Sequence, residues 1–262
     1  AIIEAKQVVG GADINTGTIT SKALREAILM AGGRQTAVPT MDDFSSAKAT
    51  PFEQVRTSAQ KVIGAELRIA YEHLRSNGID LINGFASFVD PNVLEVVGPS
   101  GTDRVRGEKI FISVGSKPAK PANIPFGVPN IVTSDELLEL IDLPRSLKVV
   151  GGGVIGTEYA SMMQALGVKV TLVEGRDRLL DFCDGEIIEA LQYHLRQGGM
   201  TLRLGEKVVK ISTKEAPHRG MAEDGILAEA TLESGKVLTA DCLPYRIGRL
   251  GSSQKLGRDN SV

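Results

Sequence analysis

An α/β fold in two parts is expected for this chain, on three observations. Between Ser146 and Leu204, apolar runs of strand length alternate with helix-length amphipathic segments, the rhythm of a parallel sheet with helices on its faces. A G-x-G-x-x-G run made by Gly151, Gly153 and Gly156 directly follows the first of these strands and opens the helix behind it. Ahead of both, Pro118, Pro121, Pro125 and Pro129 interrupt the chain too often for any regular element, so a domain boundary is expected there. A length of 262 residues, 42% hydrophobic and 24% charged, allows one large or two medium domains.

The elements follow in order. "AIIEA" reads as a strand ending at Glu4, and Val8 to Leu24 is a tight lead-in of glycines and small polar residues. From Thr20 or Ser21, apolar residues at three-to-four spacing behind a capping hydroxyl predict a helix that stops at Gly32-Gly33. Pro39 to Thr50 is a polar connection. A long amphipathic helix over Phe52 to Ser76 ends at "SNG". "IDLINGFASFV" and "VLEVVG" read as strands of an antiparallel excursion, which returns to a buried strand at Ile110 to Val114.

After the prolines come a strand in "SLKVVGG", a helix over Val154 to Leu166, a strand in "KVTLVEG", a helix over Gly185 to Gly198 and a strand in "MTLRLG". "KVVKISTKE", "GILAEATLES" and "KVLTADCLPYRIG" close the domain as further strands.

The glycine run carries the chemistry. Gly151 makes the tight turn, Gly153 lets the backbone approach a pyrophosphate, and Gly156 lets helix and strand pack closely. Val154 and Ile155 begin the helix whose free N–H groups and dipole favour an anion. Glu174, at the end of the second strand, stands where an acid accepts hydrogen bonds from the adenosine ribose, which favours NAD. Arg176 and Arg178 follow closely and suit the 2′-phosphate of NADP, so both nucleotides stay open; a solvated turn explains the two arginines equally well.

A formal charge of -2 gives no basic footprint, which sets nucleic acid aside as a partner. No run approaches the ~20 apolar residues of a membrane helix, and a signal sequence is not recognisable, so a cytoplasmic protein is the expectation. Cys183 and Cys242 match neither a zinc nor a redox spacing and read as buried thiols; His73, His194 and His218 are scattered, so no metal is assigned.

The stretches "NTGTITSKALREA", "GIDLINGFASFVDPN", "IFISVGSKPAKP", "VVGGGVIGTEYASM", "RDRLL" and "YRIGRLG" together resemble the FAD-dependent pyridine nucleotide-disulfide oxidoreductases, from Ala1 to about Gly251. The resemblance implies two Rossmann-like domains, the NAD(P)-binding one inserted in the FAD-binding one. Residues 1–120 would be a partial FAD-binding domain, 121–241 the NAD(P)-binding domain and 242–262 the return to the first.

It further implies that Glu4 holds the FAD adenosine ribose and that Gly10, Gly11, Thr18, Lys22, Gly115 and Gly248 lie along the flavin. Lys22 and Glu158 take the places of the family's lysine–glutamate pair beside flavin N5, the catalytic pair of this reading. Without the resemblance, Lys22 is a solvated lysine and Glu158 an acid suited to a helix N-terminus.

Disulfide-using members carry a Cys-x4-Cys pair in the lead-in, and the matching positions here are Asp13 and Thr18. Neither forms a disulfide, so dithiol chemistry of the dihydrolipoamide dehydrogenase kind is disfavoured. Thr18 is similar instead to the transhydrogenase branch, which passes hydride between NADPH and NAD+ through FAD. Asp13 departs from the Cys retained there, and its charge is expected to lower the flavin potential. Thr20 stands where the family has Pro.

The resemblance also implies pieces that are not in this sequence: a first glycine fingerprint ahead of Glu4, a second FAD motif after "GRLG", and the dimerisation domain of a homodimeric family. A chain shortened at both ends is the expectation. A catalytically silent NAD(P)-binding fragment is therefore the alternative to the flavoenzyme.

Overall fold

The computed structural model describes residues 1–32, 51–216, 225–246, 248–254 and 256–257. In chain order the elements are β1 (Ile2–Glu4), α1 (Gly11–Asn15), α2 (Thr18–Gly32), α3 (Pro51–Ser76), β2 (Leu81–Asn83), β3 (Phe85–Asp90), β4 (Val93–Gly98), β5 (Gly101–Arg106) and β6 (Ser116–Pro118). Then come β7 (Ile131–Val132), α4 (Ser134–Leu137), β8 (Ser146–Val150), α5 (Val154–Ala165), β9 (Lys169–Glu174), α6 (Gly185–Gln197) and β10 (Thr201–Leu204). The last are β11 (Val208–Glu215), β12 (Ile226–Leu232), β13 (Val237–Ala240), β14 (Leu243–Pro244) and β15 (Arg249–Gly251). The expected polar connection at 39–50 and His218 lie outside the described residues.

The chain folds as two units: Ala1–Ala23 with Ala59–Lys117 and Arg249–Val262, and Leu24–Ser58 with Pro118–Gly248. In the first, β1 pairs in parallel with β2, Ile2 opposite Leu81 and Glu4 opposite Asn83. β3, β4 and β5 form an antiparallel sheet in that order, centred on the buried Phe88 and Val96. Phe88 N–H donates to the Leu256 carbonyl at 2.7 Å.

Three expectations need correction here. Ile110 to Val114 is not a strand: Phe111 is 89% exposed, and no strand pairs with this segment among the described residues. An apolar run becomes a strand only when a neighbour completes its ladder. The lead-in after Gly10 is not merely a turn, because Gly10 and Gly11 at φ 94° and 55° swing the chain into the short helix α1. The expected cap of α2 is also absent: the helix starts at Thr18, and the Thr20 hydroxyl donates to the Ile14 carbonyl at 2.6 Å.

In the second unit β10, β9 and β8 form a parallel sheet in that order. Bridges from Leu147 to Cys242 and from Val150 to Tyr245 connect β8 to the segment around β14, which pairs in parallel with β7. β11, β12 and β13 form an antiparallel meander. Leu147, Val149, Val170, Leu172 and Val173 are all buried, as near-continuous apolar strands covered on both faces must be. One core cluster joins Val150 and Leu243 of the sheet to Ile211, Ala228 and Ala230 of the meander, with Ile124 and Ile131.

α4 carries a signal the sequence reading passed over, Thr133-x-x-Glu136: the Thr133 hydroxyl accepts from the Glu136 N–H, and the Glu136 carboxylate accepts from the Thr133 N–H at 2.6 Å.

Candidate functional site

The site is built where β8 runs into α5. Gly151 adopts φ 108°, and a Cβ there would lie 2.3 Å from the Arg246 carbonyl oxygen. A Cβ on Gly156 would lie 1.9 Å from the Gly151 carbonyl oxygen, so helix and strand approach each other at a distance only hydrogen permits. Gly153 is different. It caps α5 in extended backbone at φ -74°, ψ -177°, and a Cβ there would meet nothing within 4 Å.

No side chain caps α5. The helix ladder starts only at the Thr157 N–H, which donates to the Gly153 carbonyl at 2.9 Å. The N–H groups of Val154, Ile155 and Gly156 precede that first bond, so the positive end of a twelve-residue helix opens beside the vacant side of Gly153. This arrangement fits a dinucleotide pyrophosphate.

Glu174 ends β9 and is buried. Its Oε2 accepts from the Gly152 N–H at 2.7 Å and from Arg176 Nη2 at 3.1 Å, and its Oε1 accepts from the Arg176 N–H and Nε, both at 2.9 Å. Burial alone would raise the carboxyl pKa, but the bonds from Arg176 and from the Gly152 N–H outweigh it and hold the group below the usual carboxylate range. Arg176 is shifted the other way, upward, by its bonds to Glu174 and to Asp181 Oδ1, the latter at 2.5 Å. Arg178 donates to the Asp181 backbone carbonyl at 2.9 Å.

A depressed carboxylate pKa adds stability that is complete above the usual carboxylate range and is lost as pH falls through the folded-state value. Acid titration followed by circular dichroism should therefore show the second unit losing stability below that range, and Glu174→Gln should flatten this limb. An unchanged limb would mean that Glu174 does not set it.

Two residues of the site escaped the sequence reading. Gly152 is the middle residue of the turn, and a Cβ on it would lie 2.5 Å from Leu179 Cδ2, so a larger residue there would push on Leu179. Asp181 follows Leu180, which sits at φ 45°, a left-handed turn by a leucine that brings the acid back toward Arg176. Neither position belongs to the fingerprint. Of the two thiols, burial pushes Cys242 up to about 12, whereas Cys183 is only half-buried, not buried as expected.

The residues that the resemblance assigns to the flavin fall mostly in the first unit. Glu4 ends β1 and accepts from the Lys6 N–H at 2.8 Å. Thr18 and Lys22 are exposed on α2. Gly11 and Gly115 adopt φ 55° and 64°, with open space where a Cβ would stand. Gly248, at φ 79°, belongs to the second unit, as do the glycine turn, Glu158 and Glu174.

A glycine turn between strand and helix, an open helix N-terminus and an acid ending the next strand define a dinucleotide-binding protein of the doubly wound α/β class. The chain belongs to the pyridine nucleotide-disulphide oxidoreductase family, whose model matches residues 2–261. It is 39% identical over its whole length to the soluble pyridine nucleotide transhydrogenase of Mycobacterium bovis, covering 54% of that protein. It is 38% identical to the transhydrogenase of the same name from Pseudomonas paraeruginosa, over 99% of this chain and 54% of that one.

Among solved structures, a Cu(II) complex of a mutant of the HOCl-induced flavoprotein disulfide reductase RclA from Escherichia coli matches with TM-score 0.81 and 28% identity, over 99% of this chain and 53% of that one. LpdA from Mycobacterium tuberculosis, at 21% identity and TM-score 0.82, shares the fold. The chain thus spans about half the length of the curated relatives it matches.

Proposed function

We propose that this chain is part of a flavoprotein oxidoreductase that passes hydride from NADPH to NAD+ through FAD, giving NADP+ and NADH. The observation that carries the reading is the open N-terminus of α5 beside Gly153, with Glu174 at the end of the neighbouring strand. Relatives named transhydrogenases at 38–39% identity support it. So does the pairing of Asp13 and Thr18 where a disulfide reductase needs two thiols.

In this reading the N–H groups of Val154, Ile155 and Gly156 bind the nicotinamide nucleotide's pyrophosphate, Gly151 and Gly153 admit it, and Glu174 and Arg176 meet the adenosine ribose. Glu4, Gly10, Gly11, Thr18, Gly115 and Gly248 hold the flavin, and Lys22 and Glu158 position its reacting edge. Bound FAD supplies the two-electron relay between the two nicotinamides. The expected domains are 1–120 and 242–262 for the flavin and 121–241 for the nucleotide; the pairing of β14 with β7 moves 242–248 to the nucleotide side, and the protein is proposed to be cytoplasmic. No helix among the described residues is long and apolar enough to cross a membrane.

A second reading, an NAD(P)-binding module alone, is favoured by one observation: the glycine turn between β8 and α5 has its strand, its open helix N-terminus and its acid all within the second unit. The test is the visible absorption spectrum after incubation with FAD and gel filtration, beside a calorimetric titration with NAD+. A retained flavin band with NAD+ binding supports the oxidoreductase. A colourless protein that binds NAD+ supports the module, and absence of NAD+ binding refutes both.

A further inference from the structure

The parallel strands around the glycine turn end in a row along one edge of the sheet. Across that edge, Glu174 closes β9, Gly151 follows β8, Arg246 comes shortly after β14, and Ser134 opens α4 just beyond β7. In open α/β sheets a dinucleotide lies across the carboxyl ends of the strands. With its adenosine on the Glu174 side and its pyrophosphate at the N-terminus of α5, its nicotinamide half extends the other way, toward Arg246 and Ser134.

Arg246 is half-buried and tied down at both ends: its N–H donates to the Val150 carbonyl at 2.8 Å, and its Nη1 donates to the Ser134 hydroxyl. Ser134 is itself buried and donates to Asp135 Oδ1 at 2.9 Å. Tyr159 of α5 shares this corner. It is buried, the charges of Glu158, Arg246 and Asp135 act on it, and its hydroxyl has no hydrogen-bond partner among the described residues. Burial pushes the phenol upward, so it stays un-ionised and does not offset the guanidinium. An oxidised nicotinamide ring carries a positive charge and a reduced ring carries none. A fixed cation beside the ring therefore costs the oxidised form Coulomb energy that the reduced form escapes, whereas the pyrophosphate is the same in both. The carboxylates of Asp135 and Glu158 act in the opposite sense, and the arginine limits how far they do.

We propose that Arg246 tunes the oxidation-state selectivity of the nicotinamide subsite, weighting it toward the uncharged, reduced ring. Ser134 positions the guanidinium for this role. The inference rests on the reading that the turn from Gly151 to Gly156 binds a nicotinamide dinucleotide, and it gives the Arg246 side chain a task that the glycine fingerprint does not assign.

The experiment is calorimetric titration of the full chain with NAD+ and, separately, NADH, for the native sequence, Arg246→Gln, Arg246→Met and Arg246→Lys, with thermal midpoints as a folding control. Arg246→Gln should tighten NAD+ relative to NADH by about tenfold, the size expected of two unit charges several ångströms apart in a partly buried site. Arg246→Met removes the same charge and leaves no polar group to bury, so it carries the test if the glutamine variant does not fold. Arg246→Lys keeps the charge and should keep the native ratio. An equal loss of affinity for both nucleotides would place the guanidinium on the pyrophosphate instead and overturn the proposal. So would an unmoved ratio in the uncharged variants, or a lysine variant that behaves like them; each of these leaves the dinucleotide reading standing. A native chain that binds neither nucleotide would overturn both.

Discussion

Replacing Gly156 by alanine is expected to destabilise the second unit by about 3 kcal/mol or more, at the upper end of what overpacking costs, and to abolish dinucleotide binding. The new Cβ would lie 1.9 Å from the Gly151 carbonyl oxygen and 3.1 Å from its carbon. That carbonyl has little freedom to retreat, because the Gly151 N–H is bonded to the Val173 carbonyl at 2.9 Å. Helix α5 must therefore lift away from β8, taking the anion-binding N–H groups with it.

Gly153→Ala separates the two roles of the glycines. Its Cβ enters open space at an ordinary φ, so stability should change by less than about 1 kcal/mol while nucleotide affinity falls, since the methyl occupies the approach to the helix N-terminus. Urea unfolding followed by circular dichroism is the suitable measurement, as the chain has no tryptophan. If Gly156→Ala proved as stable as Gly153→Ala, the close helix–strand approach described here would be wrong.

Leu172→Ala should cost about 2–5 kcal/mol. Leu172 is fully buried at the middle of the central strand β9, with β8 and β10 hydrogen-bonded on either side, so the cavity has rigid walls and little means of collapse. Val209→Ala, at a position 57% exposed on the meander, should shift stability by no more than about 0.5 kcal/mol in the same assay. Comparable losses at both positions would contradict the placement of the core.

The nucleotide-binding unit was largely legible because local signals and tertiary demands coincide there. β8, α5, β9, α6 and β10 stand where apolar periodicity put them, and Gly151 and Gly156 of the fingerprint meet the steric requirements that their spacing anticipates, while Gly153 faces open space. Elsewhere the two diverge. Ile110 to Val114 has the composition of a buried strand, but composition reports what side chains tolerate and not whether a neighbouring ladder exists. β5, "GTDRVR", was missed for the converse reason: it pairs fully with β4 yet is mostly exposed, so it carries no apolar alternation to read.

The same divergence explains what was seen and unseen at the site. Glu174 was found because an acid at the end of the second strand has a fixed spacing from the glycines. Its saturation by Gly152 and Arg176 leaves no mark in the spacing, and the hold of Asp181 on that arginine comes just after the left-handed turn at Leu180, for which a leucine gives no warning. Arg178, for which the sequence leaves a phosphate ligand and a solvated turn equally open, donates to the Asp181 carbonyl at 2.9 Å.

The close approach of the Arg246 carbonyl to Gly151 has a bearing on how the protein is made. Strand β8 sits between β9, which follows it promptly in the chain, and the segment from Asp241 to Arg246, which reaches it from 95 residues beyond Ser146. As the chain leaves the ribosome, β8, α5 and β9 can assemble early. The other edge of β8 stays unpaired until that late segment emerges, donates the Arg246 N–H to the Val150 carbonyl and closes over the turn. A nascent chain halted before Asp241 would hold the whole fingerprint yet leave this edge bare to other strands. Synthesis of the segment from Asp241 to Arg246 is thus the event that closes the sheet beside the glycine turn.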